Sequence, residues 1–313
     1  MKAFVFDIDG VLIRGGRALK GARDTLRRLN EAKIPWIVLT NGGGYTEQLR
    51  VEHLSDKLGI AINEHQFMQS HTPFSKFSSA FDRVLVIGGD SENCRLAAEK
   101  YQFKDVVIPV DIVSSVPEIT AYRNFTRNFS GARALTNVGK RFDAIFVFHE
   151  SRDATTDTQI MTDLLLSEGG VLGTRSAHRR QAIPIYFSNA DMEWVTDYPQ
   201  PRYGQGALIT MMSALWQDMT NTRLEKTVIG KPTKFTYDFA RDLLHRWTSA
   251  PIRDVYMIGD NQFSDIKGAS DYGWKSCLVR TGVYQQGDPL VTKPTFICED
   301  VTEAVEVALN DKS

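Results

Sequence analysis

The chain of 313 residues is 42% hydrophobic and 24% charged, the balance of a soluble globular protein with room for about two domains. Its 37 Lys+Arg against 38 Asp+Glu give a formal net charge of -1, which argues against the basic face of a nucleic-acid binder and against a polybasic membrane anchor. Cys94, Cys277 and Cys298 are far apart, with neither CxxC nor zinc spacing, and read as reduced thiols of an intracellular protein.

Met1 and Lys2 lead directly into Ala3–Phe6, an apolar run that predicts the first core strand, and these first residues do not read as a targeting segment. No apolar run reaches the roughly 20 residues of a membrane span. Phe6-Asp7-Ile8-Asp9-Gly10-Val11 follows at once. In an open α/β sheet, ligands bind outside the carboxyl ends of the strands. Two carboxylates there can hold a hard cation such as Mg²⁺, which takes oxygen ligands. Read alone, the same pair is equally a solvated acidic turn.

A helix is predicted around Gly21–Glu31, then a strand at Trp36–Leu39, then Thr40-Asn41-Gly42-Gly43-Gly44 before a helix around Thr46–Leu58. A hydroxyl, exposed backbone N–H groups and a helix N-terminus make an anion cradle. Three glycines alone would only be a flexible loop.

The middle of the chain reads as a second α/β unit at 82–205. It has strands at Arg83–Gly88, Ala144–Phe148 and Ile183–Phe187, and helices at Glu92–Tyr101 and Thr156–Ser167. Pro117–Arg141 is irregular and reads as a surface excursion. Val86-Ile87-Gly88-Gly89-Asp90 starts like a dinucleotide fingerprint that no GxGxxG completes. The basic Arg175–Arg180 stretch reads as a solvated loop.

Core-type units resume at Gly206–Leu215, giving expected boundaries of 1–81, 82–205 and 206–313. Ile229-Gly230-Lys231-Pro232 fixes a lysine before a helix, where it can neutralise phosphate charge. Asp254–Ile258 is a strand, Gly259-Asp260 ends it, and Asp265 falls in the first turn of a helix at Ser264–Tyr272. A carboxylate in that turn also suits the helix dipole. The alternation of apolar runs and helical patterns predicts a parallel α/β sheet.

Asp-x-Asp, Thr, Lys and Gly-Asp-x4-Asp, in this order and at strand ends, resemble the haloacid dehalogenase-like (HAD) superfamily along the whole chain. The resemblance implies a Rossmann-like parallel-sheet core with an inserted α/β cap of type C2, as in subgroup IIA with the NagD-type and p-nitrophenyl phosphatases. Asp7–Gly15, Thr40–Gly44, Phe187–Asp191 and Tyr198–Gly206 are similar to the cat-eye-syndrome critical region hydrolases, a eukaryotic branch described as mitochondrial.

What this resemblance implies is a Mg²⁺-dependent phosphatase of small phosphomonoesters. Asp7 would be the nucleophile, giving an aspartyl-phosphate, and Asp9 the general acid and then the base. Mg²⁺ would be held by the Asp7 and Asp260 carboxylates and the Asp9 backbone carbonyl, with Asp265 orienting metal-bound water or Lys231. Thr40, Asn41, Gly42 and Lys231 would grip the phosphoryl group. Asn189, Asp191 and Arg202 would choose the substrate. The resemblance also leaves room for a homodimer and for a mitochondrial or cytoplasmic location. The alternatives are a phospho-acceptor module, a binding protein that keeps the fold without significant turnover and is linked to phospholipid metabolism, and a metal-free dehalogenase using Asp7.

Overall fold

The computed structural model describes residues 1–120, 131–194, 198 and 200–312. The chain packs as two compact units, one of Met1–Asn41, Glu47–Ser70 and Gly230–Ser313, the other of Gly42–Thr46 and His71–Ile229.

The first unit is built on six parallel strands, in the spatial order Phe296–Cys298, Lys275–Val279, Asp254–Gly259, Lys2–Phe6, Trp36–Leu39 and Phe67–Met68. Side chains alternate across a strand, and here both faces are apolar. Phe4, Phe6, Trp36, Val38, Tyr256 and Ile258 pack on one face with the helices Ala22–Glu31 and Val301–Asn310. Ala3, Val5, Ile37, Leu39 and Met257 pack on the other with Tyr237, Ala240 and Leu244 of the helix Lys234–Trp247. The alternation explains why the strands read as continuous apolar runs. Phe6 is in register with Ile258 on one side and Val38 on the other. The chain therefore leaves three neighbouring strands side by side at Asp7, Asp260 and Thr40.

The second unit has five parallel strands in the order Thr227–Val228, Ile185–Phe187, Ala144–Val147, Arg83–Ile87 and Asp105–Val107. Leu85, Ile87, Ile145, Val147 and Phe187 meet Ile160 and Leu164 of the helix Ala154–Leu165, and Leu208, Met212 and Trp216 of the helix Gln205–Thr220. The opposite face is aromatic, with Phe74, Phe77 and Phe81 around Phe146.

These two packings move the boundaries. Residues 71–81 lie in the second unit because their phenylalanines cover its sheet. Residues 206–228 lie there too, because the helix Gln205–Thr220 buries its Leu208–Met212–Trp216 stripe in that core. The sequence expectation put Gly206–Leu215 with the core, but an apolar stripe alone does not say which of two sheets it covers. Of the irregular stretch, 121–130 lies outside the described residues. Cys94, Cys277 and Cys298 are free and buried. Among the described residues no helix is long and apolar enough to cross a membrane.

One buried ion pair braces the second unit. The Arg95 guanidinium, with no exposure, donates to Asp111 Oδ1 at 2.9 Å and to the Gly131 carbonyl at 2.8 Å. Asp111 also accepts from the backbone N–H groups of Ile108 and Arg133. Removing one partner leaves a buried charge, so Arg95→Met should destabilise the protein by about 3–5 kcal/mol. Equilibrium urea unfolding measures this, and a loss under about 1 kcal/mol would show that Asp111 is satisfied by its backbone donors alone.

Candidate active site

Lys231 is the centre of the first unit's polar cluster. It is 2% exposed, and its Nζ lies 2.7 Å from Asp7 Oδ1, 2.7 Å from Asp265 Oδ1 and 3.0 Å from the Leu39 carbonyl. Burial opposes the ammonium charge, but the Asp265 and Asp7 carboxylates overcome it and hold the lysine pKa above its ordinary value. Lys231 is thus a fixed cation. Its backbone is fixed as well: its N–H donates to Asn41 Oδ1 at 2.8 Å, and Asn41 Nδ2 donates to its carbonyl at 3.1 Å.

Asp265 has no exposure. It sits in a wide π-type turn at Gln262–Ile266, ahead of the α-helix Lys267–Tyr272, and not in the first turn of a regular helix as expected. Such turns often occur at functional sites. The Tyr237 hydroxyl donates to the Asp265 carbonyl at 3.1 Å, and Asp265 Oδ2 accepts the Asn261 N–H at 3.1 Å. Burial pushes the Asp265 carboxyl up to about 7 despite the lysine beside it.

Asp260 is 3% exposed and accepts the Val283 N–H at 2.6 Å through Oδ2. Burial, then the charges of Asp7 and Asp265, raise its pKa well above the ordinary value. The backbone comes very close to this carboxylate. A Cβ on Gly282 would stand 1.9 Å from Asp260 Oδ2, and one on Gly10, whose φ is +81°, would stand 2.4 Å away. Only glycine fits at these two positions.

Asp7, Asp260 and Asp265 each offer a carboxylate oxygen within 4.8 Å of the others. Three carboxylates face one ammonium, so the cluster carries unbalanced negative charge, and its all-oxygen donors suit a hard divalent cation. The Asp9 side chain is not part of this group, in contrast to Asp265, which sequence reasoning kept outside the ligand set. Asp9 stays solvent-exposed although protein atoms crowd its carboxyl, and that crowding, then the Asp7 charge, raises its pKa. Thr40 is buried at the end of its strand, with its N–H donating to the Met68 carbonyl at 3.0 Å.

The other expected residues fall in the second unit. Gly42 belongs there, past the point where the chain leaves the first unit. Asn189 is buried and its Oδ1 accepts the Asp191 N–H at 3.0 Å, while the Asp191 carbonyl accepts the Gly206 N–H at 2.8 Å. Arg202 is exposed, with its guanidinium 4.6 Å from the Tyr198 ring centre. Sequence reasoning missed the Asn41 clamp on the Lys231 backbone, Tyr237 beneath Asp265, and Gly282. A glycine closely following the Lys275–Val279 strand was the one signal available for the last.

The first unit is thus a parallel α/β sheet with an Asp–Lys–Asp centre at its carboxyl edge. The haloacid dehalogenase-like hydrolase family model matches residues 4–104, and a HAD-hydrolase-like model matches 228–304. The chain is 40% identical over 336 residues to the mitochondrial hydrolase YKR070W of Saccharomyces cerevisiae, covering 98% of this chain and 95% of that protein. It is 39% identical over 317 residues to a Schizosaccharomyces pombe cardiolipin synthase (CMP-forming)/mitochondrial hydrolase fusion protein, covering 98% of this chain and 53% of the fusion. The chain thus spans about half of that relative. The p-nitrophenyl phosphatase of Archaeoglobus fulgidus shares the fold, with a TM-score of 0.68 at 16% identity over 97% of this chain and 98% of that one. The chain belongs to the haloacid dehalogenase-like hydrolase family.

The crowded carboxylates make a prediction for the metal-free protein. A carboxyl with a raised folded pKa contributes stability below its unfolded value of 3.8 and loses it as pH rises through the folded value. Asp260→Asn should therefore raise the melting temperature at pH 8 by several degrees, with the gain shrinking toward pH 4. Thermal unfolding in a chelator at both pH values measures this. A lower melting temperature at pH 8 would show that Asp260 is stabilising as an anion.

Proposed function

We propose that the protein is a metal-dependent phosphatase of small phosphomonoesters, acting through a phosphorylated Asp7. The observation that carries this reading is the Lys231 bridge: one buried ammonium holds Asp7 Oδ1 and Asp265 Oδ1, beside an Asp260 carboxylate with no cation of its own. An anionic nucleophile can approach an anionic ester only where positive charge offsets the repulsion.

Asp7 supplies the attacking oxygen, placed by the end of the Lys2–Phe6 strand. Its P–O bond forms as the ester P–O bond breaks. Asp9, whose raised pKa keeps a proton within reach, donates it to the departing alkoxide and then takes one from the water that cleaves the acyl phosphate. Lys231 stays protonated throughout and spreads the phosphoryl charge. Thr40 and the backbone beyond it offer donors to the phosphoryl oxygens. The residues that would hold Mg²⁺ are Asp7 and Asp260, with Asp9 through its backbone carbonyl and Asp265 behind Lys231. When bound, the ion neutralises charge on the ester and on Asp7.

The second unit, 71–229 with 42–46, acts in this reading as a C2-type cap that selects the leaving group, with Asn189, Asp191 and Arg202 as candidate contacts. The names of the two fungal relatives support a mitochondrial setting, and the fusion supports a link to phospholipid metabolism. The Archaeoglobus fulgidus neighbour supports p-nitrophenyl phosphate as a first substrate.

Release of p-nitrophenol should therefore depend on added Mg²⁺ and stop with EDTA. Asp7→Asn should lower kcat by at least about a thousandfold, and Asp9→Asn by about 10²–10⁴-fold. Robust turnover by Asp7→Asn would overturn the mechanism. A full panel of phosphate esters without turnover would favour the binding reading.

A further inference from the structure

Within the first unit, both ends of the Lys231–Asp265 bridge are tied to one helix, Lys234–Trp247. At the start of that helix the chain folds back on the lysine's flank. The Thr233 hydroxyl donates to the Gly230 carbonyl at 2.7 Å, and the Gly230 N–H donates to Thr236 Oγ1 at 2.9 Å. Tyr237, the next residue, reaches the other end of the bridge. Its hydroxyl donates to the Asp265 carbonyl at 3.1 Å and to the Ser264 carbonyl at 3.3 Å. A carbonyl oxygen only accepts, so the hydroxyl is the donor in both contacts.

Tyr237 has little freedom of its own. It has no exposure, and its ring centre lies 5.6 Å from that of Tyr272 and 5.2 Å from that of Trp274. A Cβ on Gly268 would stand 2.4 Å from the Tyr237 hydroxyl, so only glycine lets the ring lie this close to the helix Lys267–Tyr272. The hydroxyl is therefore a fixed point. The carbonyls it holds belong to the wide turn Gln262–Ile266, a rarer backbone form than a regular helical turn. That turn must deliver two contacts at once: Asp265 Oδ1 at 2.7 Å from Lys231 Nζ, and Oδ2 at 3.1 Å from the Asn261 nitrogen. At such separations between buried charges, a small drift of the turn changes the interaction strongly.

We propose that Tyr237 is a positioning residue for Asp265: its hydroxyl ties the Asp265 turn to the helix that follows Lys231, and so keeps Asp265 on the lysine and within the carboxylate group that would take the cation. This rests on the metal-dependent phosphatase reading above. Tyr237 touches no reacting atom in this role. Its effect is on the placement of a charge, so it shows in cation affinity and in kcat, while KM is largely spared.

The test compares Tyr237→Phe with Tyr272→Phe in the full chain. Each variant removes one hydroxyl and keeps its ring, so each should fold. The Tyr272 hydroxyl donates instead to Asp238 Oδ1 at 2.6 Å, which makes its removal a control for losing a hydroxyl from the same aromatic cluster. Mg²⁺ binding is followed by calorimetric titration without substrate, and p-nitrophenyl phosphate gives kcat and KM. Tyr237→Phe should raise the Mg²⁺ dissociation constant by about three- to tenfold and lower kcat in similar proportion, with KM within about twofold of the parent. Tyr272→Phe should leave all three within about twofold. An unchanged Mg²⁺ dissociation constant in Tyr237→Phe, whatever its melting temperature, would overturn the proposal and leave Tyr237 a core residue. An equal rise in Tyr272→Phe would overturn it as well, because the effect would then belong to the aromatic cluster and not to the bond on Asp265. A parent protein that binds Mg²⁺ but hydrolyses no phosphate ester fails the phosphatase reading, and there the titration still decides this proposal. A parent that binds no Mg²⁺ overturns both.

Discussion

The site depends on one ammonium buried between two carboxylates. Asp265 and Asp7 hold the Lys231 ammonium charged at 2% exposure, and its charge offsets theirs in turn. Each neighbour of this bridge then acquires a reason. Asn41 uses both ends of its amide to hold the Lys231 backbone. Tyr237, buried among the side chains under the sheet, holds the turn that presents Asp265. Asp265 turns its second oxygen to the Asn261 N–H, which keeps the first aimed at the lysine. The bridge is therefore reached from three separate parts of the sequence: the sheet register sets the Asp7 and Asp260 strand ends side by side, and the Asn41 clamp holds Lys231 beside them.

The same arrangement leaves a deficit. One lysine balances only part of the charge of Asp7, Asp260 and Asp265, and the backbone at Gly10 and Gly282 closes over Asp260. A fold selected for stability alone would replace such a group by an apolar side chain. Keeping it against that cost is how functional sites conflict with local rules. The formal net charge of -1 conceals this, because the basic residues elsewhere in the chain average out a local excess of acid.

Much of the first unit was legible in the sequence. Its strands are apolar on both faces, so Ala3–Phe6, Trp36–Leu39 and Asp254–Ile258 announce themselves, and Asp7, Thr40 and Asp260 follow directly at their ends. What was illegible had physical causes. Gln205–Thr220 carries the period of a helix, but a helix stripe fits either of two apolar sheets. Phe74, Phe77 and Phe81 lie in a segment with no regular period, so nothing linked them to Phe146 until the packing did. Asn41 was recognised as a site residue through its backbone, whereas its side chain acts on a residue 190 positions away. Short-range patterns cannot show a pairing across that distance.

That long-range pairing also bears on how a domain can be inserted without disturbing a site. The first exit from the sheet unit follows Asn41, and the last return is at Gly230, one residue before Lys231. The Asn41–Lys231 clamp therefore joins the two ends of the insertion inside the first unit, and Gly44–His71 joins two crossing segments inside the second. Closing a long loop costs conformational entropy that grows only slowly with its length, so a unit the size of 71–229 costs little more than a short one once its ends are held. The clamp residues stand at the two ends of the inserted unit and include the bridging lysine. The inserted unit can thus vary in sequence while the Lys231 bridge between Asp7 and Asp265 keeps its geometry.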